Sequence, residues 1–272
     1  MADSDPALGR RVVSAVIMVP VVLALVIFDV WSFAFLVAVG AVLLALEWRV
    51  LIDAHAGESA GKLAAMAAGG AALLVILLVA MGWAELALLV ALFCASTSGL
   101  MAALAGGSAF WTIIGVLYLS LPMLALVWLR AMPEDGLAMV IWLLMVVWAA
   151  DVVAYFAGRN IGGPRLAPSI SPGKTWSGFV GGMMGAILIG VMVTLANGPF
   201  KAFTAIVLAA GLALVAQIGD LAESALKRQA GVKDSGTLIP GHGGVFDRVD
   251  GLLFAAPVLA VIALMIGSFG QP

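Results

Sequence analysis

Residues 137–158, which read LAMVIWLLMVVWAADVVAYFAG, decide the fold. A helix crosses the hydrocarbon core of a bilayer, about 30 Å thick, with about 20 predominantly apolar residues. The stretch has this length and carries a single charged side chain, Asp151. It therefore predicts a transmembrane helix with one acidic residue inside an apolar run.

The composition of the whole chain agrees with that prediction. Of its 272 residues, 64% are hydrophobic and 10% are charged, and the mean hydropathy is +1.19. Soluble domains are about 25% charged, so this chain has too little polar surface for a soluble globule. The hydrophobicity excludes a disordered chain, the net charge of −2 excludes a nucleic-acid binder, and one cysteine excludes a disulfide scaffold. We expect an all-α polytopic membrane protein.

About nine segments are long and apolar enough to be transmembrane helices. They are residues 12–28, 31–46, 63–81, 84–105, 110–129, 137–158, 178–196, 203–220 and 252–269. Only Asp29 and Val30 separate the first two, so a re-entrant hairpin is an alternative there. Paired glycines such as Gly181 and Gly182 favour close helix packing in lipid.

The basic residues predict the orientation, because Lys and Arg concentrate in cytoplasmic loops. With nine spans and a cytoplasmic N-terminus, 11 of the 13 basic residues face the cytoplasm, and the two others are Arg130 and Lys201. The polar segments 159–177 and 221–250 then face the cytoplasm together. Glu47 and Arg49, at the end of the second span, are interpreted as a pair at the membrane interface.

Asp151 is a candidate functional residue because an ionisable group inside a span costs at least about 2.5–3.5 kcal/mol. The alternative is a structural salt bridge, for example with Arg159. The loop that follows, GGPRLAPSISPGKTWSG at residues 162–178, contains Ser171, Lys174 and Thr175 just before a predicted helix. Free backbone N–H groups, hydroxyls and a helix N-terminus are typical of a phosphate cradle. The alternative is an ordinary capping loop between helices.

A third polar segment carries most of the remaining acidic residues of the second half. Asp220, Glu223, Ser224 and Lys227 share one face of a helix, and a glycine-rich loop leads from there to Asp247 and Asp250. Carboxylates beside lysines and glycines suit Mg²⁺ bound together with a polyphosphate. The residues alone predict metal-dependent phosphoryl or nucleotidyl transfer to a lipid substrate.

The stretch SALKRQAGVKDSGTLIPGHGGVFDRVD, residues 224–250, resembles the phosphatidate cytidylyltransferase (CDP-diacylglycerol synthase) family throughout. The stretches DVVAY at 151–155 and SPGKTW at 171–176 are similar to the same family. The resemblance covers about residues 148–252. One departure is Ser177, where many members carry Glu or Gln.

The resemblance implies a reaction of CTP with phosphatidic acid that gives CDP-diacylglycerol and pyrophosphate and requires Mg²⁺. It implies metal ligation by Asp220, Asp247, Asp250 and Asp151, and catalytic roles for Asp220, Asp247 and Lys227. The expected substrate-binding residues are Ser171, Lys174, Thr175, Ser224, Arg228, Lys233, Gly241, His242, Gly243, Gly244 and Arg248. Arg248 is also a candidate for a structural pair with Asp250 or Glu223.

We therefore expect one integral membrane domain over residues 1–272, with scaffold spans in 1–130 and the catalytic region in 148–252. It would lie in a membrane of the bacterial inner-membrane type, with its active site in the cytoplasm. A homodimer and a second cation beside Mg²⁺ stay open. The alternatives are a CTP-dependent kinase of a lipid or polyprenol and an ion-coupled transporter.

Overall fold

The computed structural model describes residues 20–56, 58–236 and 243–269. In this part of the chain, eight helices are long and apolar enough to cross a membrane. They are α1 (Val30–Ala56), α2 (Glu58–Ala80), α3 (Ala84–Leu104), α4 (Ala109–Ala131), α5 (Gly136–Ile161), α6 (Trp176–Leu195), α7 (Ala202–Gln229) and α8 (Phe246–Phe269). The polytopic helical fold class is confirmed. Of the first predicted span, residues 20–28 are described and helical, and the rest lies outside the described residues.

One departure from an all-helical chain lies between α5 and α6. There the strands β1 (Arg165–Ala167) and β2 (Ser171–Thr175) pair antiparallel, with Arg165 opposite Thr175. The sequence predicted an irregular loop, because its prolines exclude a helix. A short hairpin tolerates proline where no backbone N–H has to be donated, so the same segment still forms a ladder.

The chain divides into two compact units, which are described separately. Unit 1 comprises Met1–Val127 and Gln229–Val249, and unit 2 comprises Trp128–Arg228 and Asp250–Pro272. In unit 1, α1 packs against α2 and α2 packs against α3. A Cβ atom on Gly69 would lie 3.0 Å from the Cβ of Ala45, so small residues set the distance between α1 and α2.

In unit 2, glycines hold α6 against α5 at short range. A Cβ atom on Gly182 would lie 2.7 Å from the carbonyl oxygen of Ala150, the residue before Asp151. Further along, the indole N–H of Trp142 donates to the carbonyl of Gly190 at 2.9 Å and to Thr194 Oγ1 at 3.1 Å. The close packing predicted from the paired glycines is confirmed here, and it places Asp151 on a tightly packed helix.

We expect Gly182→Ala to lower the midpoint of thermal unfolding, because the added methyl group meets a backbone oxygen that cannot turn away. Overpacking of this kind costs about 1–3 kcal/mol. The matched control is Gly211→Ala in α7, where a Cβ atom meets nothing within 4 Å. Equal midpoints for the two variants would contradict the packing described for α5 and α6.

Candidate active site

Three carboxylates of unit 2 come together at one point. Asp220 and Glu223 lie on α7 and Asp250 lies near the start of α8, and each offers an oxygen within 4.8 Å of the others. Asp220 and Glu223 share a helix face because they are three residues apart. Asp151 on α5 lies close enough to Asp220 for the two carboxylates to repel each other. The structure thus joins acidic residues from three helices.

A glycine permits the approach of α7 to the start of α8. A Cβ atom on Gly219 would lie 2.8 Å from the carbonyl oxygen of Asp250. On the other helix, a Cβ atom on Gly251 would lie 3.1 Å from the Cβ of Ala216. These two positions bring the backbones together next to Asp220 and Asp250, so the carboxylates converge without long side chains.

Lysines compensate the charge of this acidic group. Lys174 Nζ lies 2.6 Å from Asp220 Oδ2, and Lys227 Nζ lies 2.6 Å from Glu223 Oε2. Glu223 is 1% exposed and Lys227 is 9% exposed. An unpaired buried charge is costly, so Lys227 compensates the charge of Glu223 in these surroundings. Ser224 Oγ adds a long hydrogen bond of 3.4 Å to Asp220 Oδ1.

The β1–β2 hairpin delivers Lys174 to Asp220. Thr175 is the N-cap of α6, and its Oγ1 accepts a hydrogen bond from the N–H of Gly178 at 3.1 Å. Lys174 therefore lies directly before the helix begins. Arg228, near the end of α7, donates from Nε to the carbonyl of Ile170 in the hairpin turn at 3.3 Å. The hairpin is thus fixed at α6 by Thr175 and at α7 by Lys174 and Arg228.

Thr175 and Ser171 were predicted to bind substrate. The structure uses the Thr175 hydroxyl as a helix cap, and it places Ser171 at the start of β2 opposite Ala167. Their contact with a substrate stays a prediction.

Asp247 occupies a different setting, in unit 1. Its Oδ2 accepts hydrogen bonds from the N–H of Gly244 at 2.8 Å, from Ser235 Oγ at 3.0 Å and from the N–H of Ser235 at 3.2 Å. Gly243 has φ +81, and a Cβ atom there would lie 3.1 Å from Asp247 Oδ2. Asp247 thus organises the chain that precedes α8, and its role as a metal ligand stays a prediction.

The predicted site residues divide between the two units. Unit 2 contains Asp151, Ser171, Lys174, Thr175, Asp220, Ser224, Lys227, Arg228 and Asp250. Unit 1 contains Lys233, Gly243, Gly244, Asp247 and Arg248. Gly241 and His242 lie outside the described residues.

Two acidic residues of interest were not among the predicted site residues. Glu223 was placed on the polar face of α7 but not among the ligands, although its spacing of three residues from Asp220 was a usable signal. Glu47 was interpreted as an interfacial pair with Arg49. That interpretation is wrong, because Glu47 is 2% exposed and its carboxylate accepts hydrogen bonds from Ser235, Val245 and Phe246.

The model of the Cytidylyltransferase family matches residues 9–266 of the chain. The chain belongs to this family. It is 46% identical over 162 residues to a phosphatidate cytidylyltransferase of Brucella suis biovar 1, a match that covers 60% of this chain and 59% of the relative. It is 43% identical over 130 residues to the Haemophilus influenzae phosphatidate cytidylyltransferase, covering 46% of this chain and 45% of the relative. The Bacillus subtilis phosphatidate cytidylyltransferase is 41% identical over 132 residues, covering 48% of this chain and 49% of the relative. The matches therefore span about half to three fifths of these relatives.

In this family member we expect Lys227→Met to lower the free energy of unfolding by about 3–5 kcal/mol, because Glu223 then keeps its charge in a buried position without the neighbouring ammonium. The double variant Glu223→Gln with Lys227→Met removes both charges and should regain most of the loss. Thermal unfolding of the purified protein measures both. If the double variant is less stable than Lys227→Met alone, the buried pair is not the source of the effect.

Proposed function

We propose that this protein transfers the cytidylyl group of CTP to the phosphate of phosphatidic acid, with release of pyrophosphate and formation of CDP-diacylglycerol. The observation that carries the proposal is the cluster of Asp220, Glu223 and Asp250 with Lys174 and Lys227, in a chain of the cytidylyltransferase family. Carboxylates can hold a metal ion for a polyphosphate, and ammonium groups can bind phosphate charge. Apolar helices beside them can hold the acyl chains of a lipid phosphate.

The chemistry is a displacement at the α-phosphorus of CTP. An oxygen of the lipid phosphate forms the new P–O bond, the bond to the β-phosphate bridging oxygen breaks, and its electron pair leaves with pyrophosphate. A phosphate monoester is already ionised at neutral pH, since its second pKa is about 6. The protein therefore has to position the two phosphates rather than remove a proton.

The basic residues of unit 2 supply the positive charge for this positioning. Lys174 stands before the N-terminus of α6, where backbone N–H groups also favour an anion. Lys227 and Arg228 lie in the last turn of α7. Fixed positive groups of this kind stabilise the charge that builds up on the leaving pyrophosphate. Lys174 contacts Asp220, and we expect this contact to be exchanged for a phosphate when CTP binds.

The donor set fits Mg²⁺. Asp220, Glu223 and Asp250 offer only oxygen atoms, within 4.8 Å of one another, and Mg²⁺ prefers oxygen ligands from one or two carboxylates and from substrate phosphates. Bound there, it would neutralise phosphate charge. Metal ligation by Asp151 and Asp247 and the presence of a second cation stay predictions, as do the substrate contacts of Lys233, Gly241, His242, Gly243, Gly244 and Arg248.

We further propose that the protein lies in a bacterial inner membrane. Its site and its N-terminus would both face the cytoplasm. The support for this orientation is the distribution of the 13 basic residues, of which 11 fall on one side in the predicted topology. CTP would arrive from that side, and phosphatidic acid would reach the site from the bilayer. A homodimer stays a prediction.

Turnover of CTP labelled in the cytosine ring tests the activity directly, in detergent-purified protein with phosphatidic acid and with or without Mg²⁺. We expect label in the lipid phase only when lipid and metal are both present. Label that remains in water as CDP would favour a lipid kinase instead. If folded protein turns over no CTP with any of several lipids, both the cytidylyl transfer and the kinase activity are contradicted. The ion-coupled transporter would then be the favoured function.

Asp220→Asn should reduce turnover to less than about a tenth of the wild-type value, because it removes a charged oxygen from the proposed metal site and the counterion of Lys174. Asp247→Asn is expected to have the same effect, because the sequence predicts that Asp247 is a metal ligand. The matched control is Glu85→Gln in the first turn of α3, which leaves turnover unchanged. Turnover above about a tenth in either aspartate variant would remove that residue from the ligand set.

A further inference from the structure

Glu47 is a buried carboxylate whose hydrogen-bond partners lie almost two hundred residues further along the chain. It is 2% exposed on α1. Its Oε1 accepts from the N–H of Val245 at 2.8 Å, and its Oε2 accepts from the N–H of Phe246 at 2.8 Å and from Ser235 Oγ at 3.0 Å. All of these residues belong to unit 1.

Two of these donors are the backbone N–H groups at the beginning of α8. The first N–H groups of a helix have no partner within the helix, and they form its positive end. Glu47 thus caps α8 from another helix. A carboxylate suits this position because both of its oxygens accept, whereas an amide would turn an N–H group toward at least one of the donors.

Glu47 also lies against two glycines, Gly236 and Gly244, of the α7–α8 loop, residues 230–245. A Cβ atom on Gly236 would lie 2.7 Å from Glu47 Oε1, and one on Gly244 would lie 2.7 Å from Glu47 Oε2. A side chain at Gly236 would displace the carboxylate of Glu47, and one at Gly244 would displace Ser235 Oγ as well. One side chain of α1 thus contacts the chain at residues 235–236 and again where it enters α8.

The neighbouring residue, Trp48, holds the start of α8 by apolar contact. Trp48 and Phe246 are each 0% exposed, and their ring centroids are 6.4 Å apart. Tyr118 stacks on Phe246 with a centroid distance of 5.7 Å and an interplanar angle of 8°. Phe246 follows directly after the loop, so its ring and its N–H are fixed by two consecutive residues of α1.

Ser235 connects this contact to Asp247. Its Oγ lies 3.0 Å from Glu47 Oε2 and 3.0 Å from Asp247 Oδ2. A hydroxyl carries one proton, so it donates to one of the two oxygens at a time. The orientation of Asp247 is consequently tied to that of Glu47 through a shared donor.

We propose that Glu47 is the positioning residue of the chain at residues 235–236 and 244–246 and, through Ser235, of Asp247. It takes no part in the chemistry. Its carboxylate sets the geometry of these residues, so that removal of an acceptor misaligns Asp247 and slows the catalytic step in a chain that remains folded. The activity readout rests on the proposed function.

Glu47→Gln tests the proposal, because it preserves the size of the side chain and replaces one acceptor oxygen by a donor. At saturating CTP and phosphatidic acid we expect kcat to fall by about tenfold or more, the effect of leaving a buried N–H without its acceptor. The matched control is Gly69→Ala, which strains the contact of α2 with Ala45 of α1 and touches no residue of the loop. It should lower thermal stability and leave kcat within about twofold of wild type.

Hydrogen exchange provides a readout that does not depend on the reaction. In Glu47→Gln at least one of the N–H groups of Val245 and Phe246 should exchange about tenfold faster or more, while Gly69→Ala leaves both unchanged. If the wild-type protein did not turn over CTP, exchange alone would still decide the role of Glu47. Unchanged exchange in Glu47→Gln, or a kcat that falls no more than in Gly69→Ala, would overturn the proposal.

Ser235→Ala keeps the test decisive if Glu47→Gln does not fold. It removes the shared donor and retains both backbone contacts of Glu47. We expect kcat to fall in Ser235→Ala alone, because Asp247 loses the donor that it shares with Glu47, and an unchanged kcat would overturn the link from Glu47 to Asp247. Where Glu47→Gln folds, the double variant should lose less than the product of the two single effects. Independent, multiplicative effects would show that Glu47 does not act through Ser235.

Discussion

A carboxylate that leaves water needs donors inside the protein, and in this chain they are scarce because only 10% of the residues are charged. The buried and half-buried acidic groups of the described residues therefore take their partners from the same helix or from distant parts of the chain. Glu223 takes Lys227 from the next turn of its own helix, and Asp220 takes Lys174 from the β hairpin. Glu47 takes neutral donors from the loop before α8 and from Phe246. The polar geometry of both units follows from this requirement.

Close backbone approach is the second condition, and glycine satisfies it. Gly219 lets the start of α8 approach α7, and Gly182 lets α6 approach α5. Without these contacts, Asp250 would not reach Asp220, and Asp151 would lie on a more loosely packed helix. The glycines that the composition presents as packing residues are thus also what makes an acidic site possible among apolar helices.

The sequence predicted the helical membrane fold and most of the polar residues that the structure brings together in unit 2. The signals were local: apolar length, the spacing of Asp220 and Ser224 on one helix face, and Lys174 directly before a helix. It failed for the segment between α5 and α6, where proline argued against a helix but not against a hairpin. It also failed for Glu47, since a single carboxylate near the end of an apolar span carries no local sign of a partner 188 or more residues away.

What the sequence by itself determined is the membrane class, the family motif of residues 224–250 and the set of charged side chains available for chemistry, because each depends on composition or on short spacings along one helix. The tertiary structure alone decided which charges pair. The contact of Lys174 with Asp220 depends on how the hairpin meets α7, and the contact of Glu47 with Val245 and Phe246 depends on where α1 lies against the loop. Pairing of buried groups is a property of the packed helices, and packing joins residues that no spacing in the sequence relates.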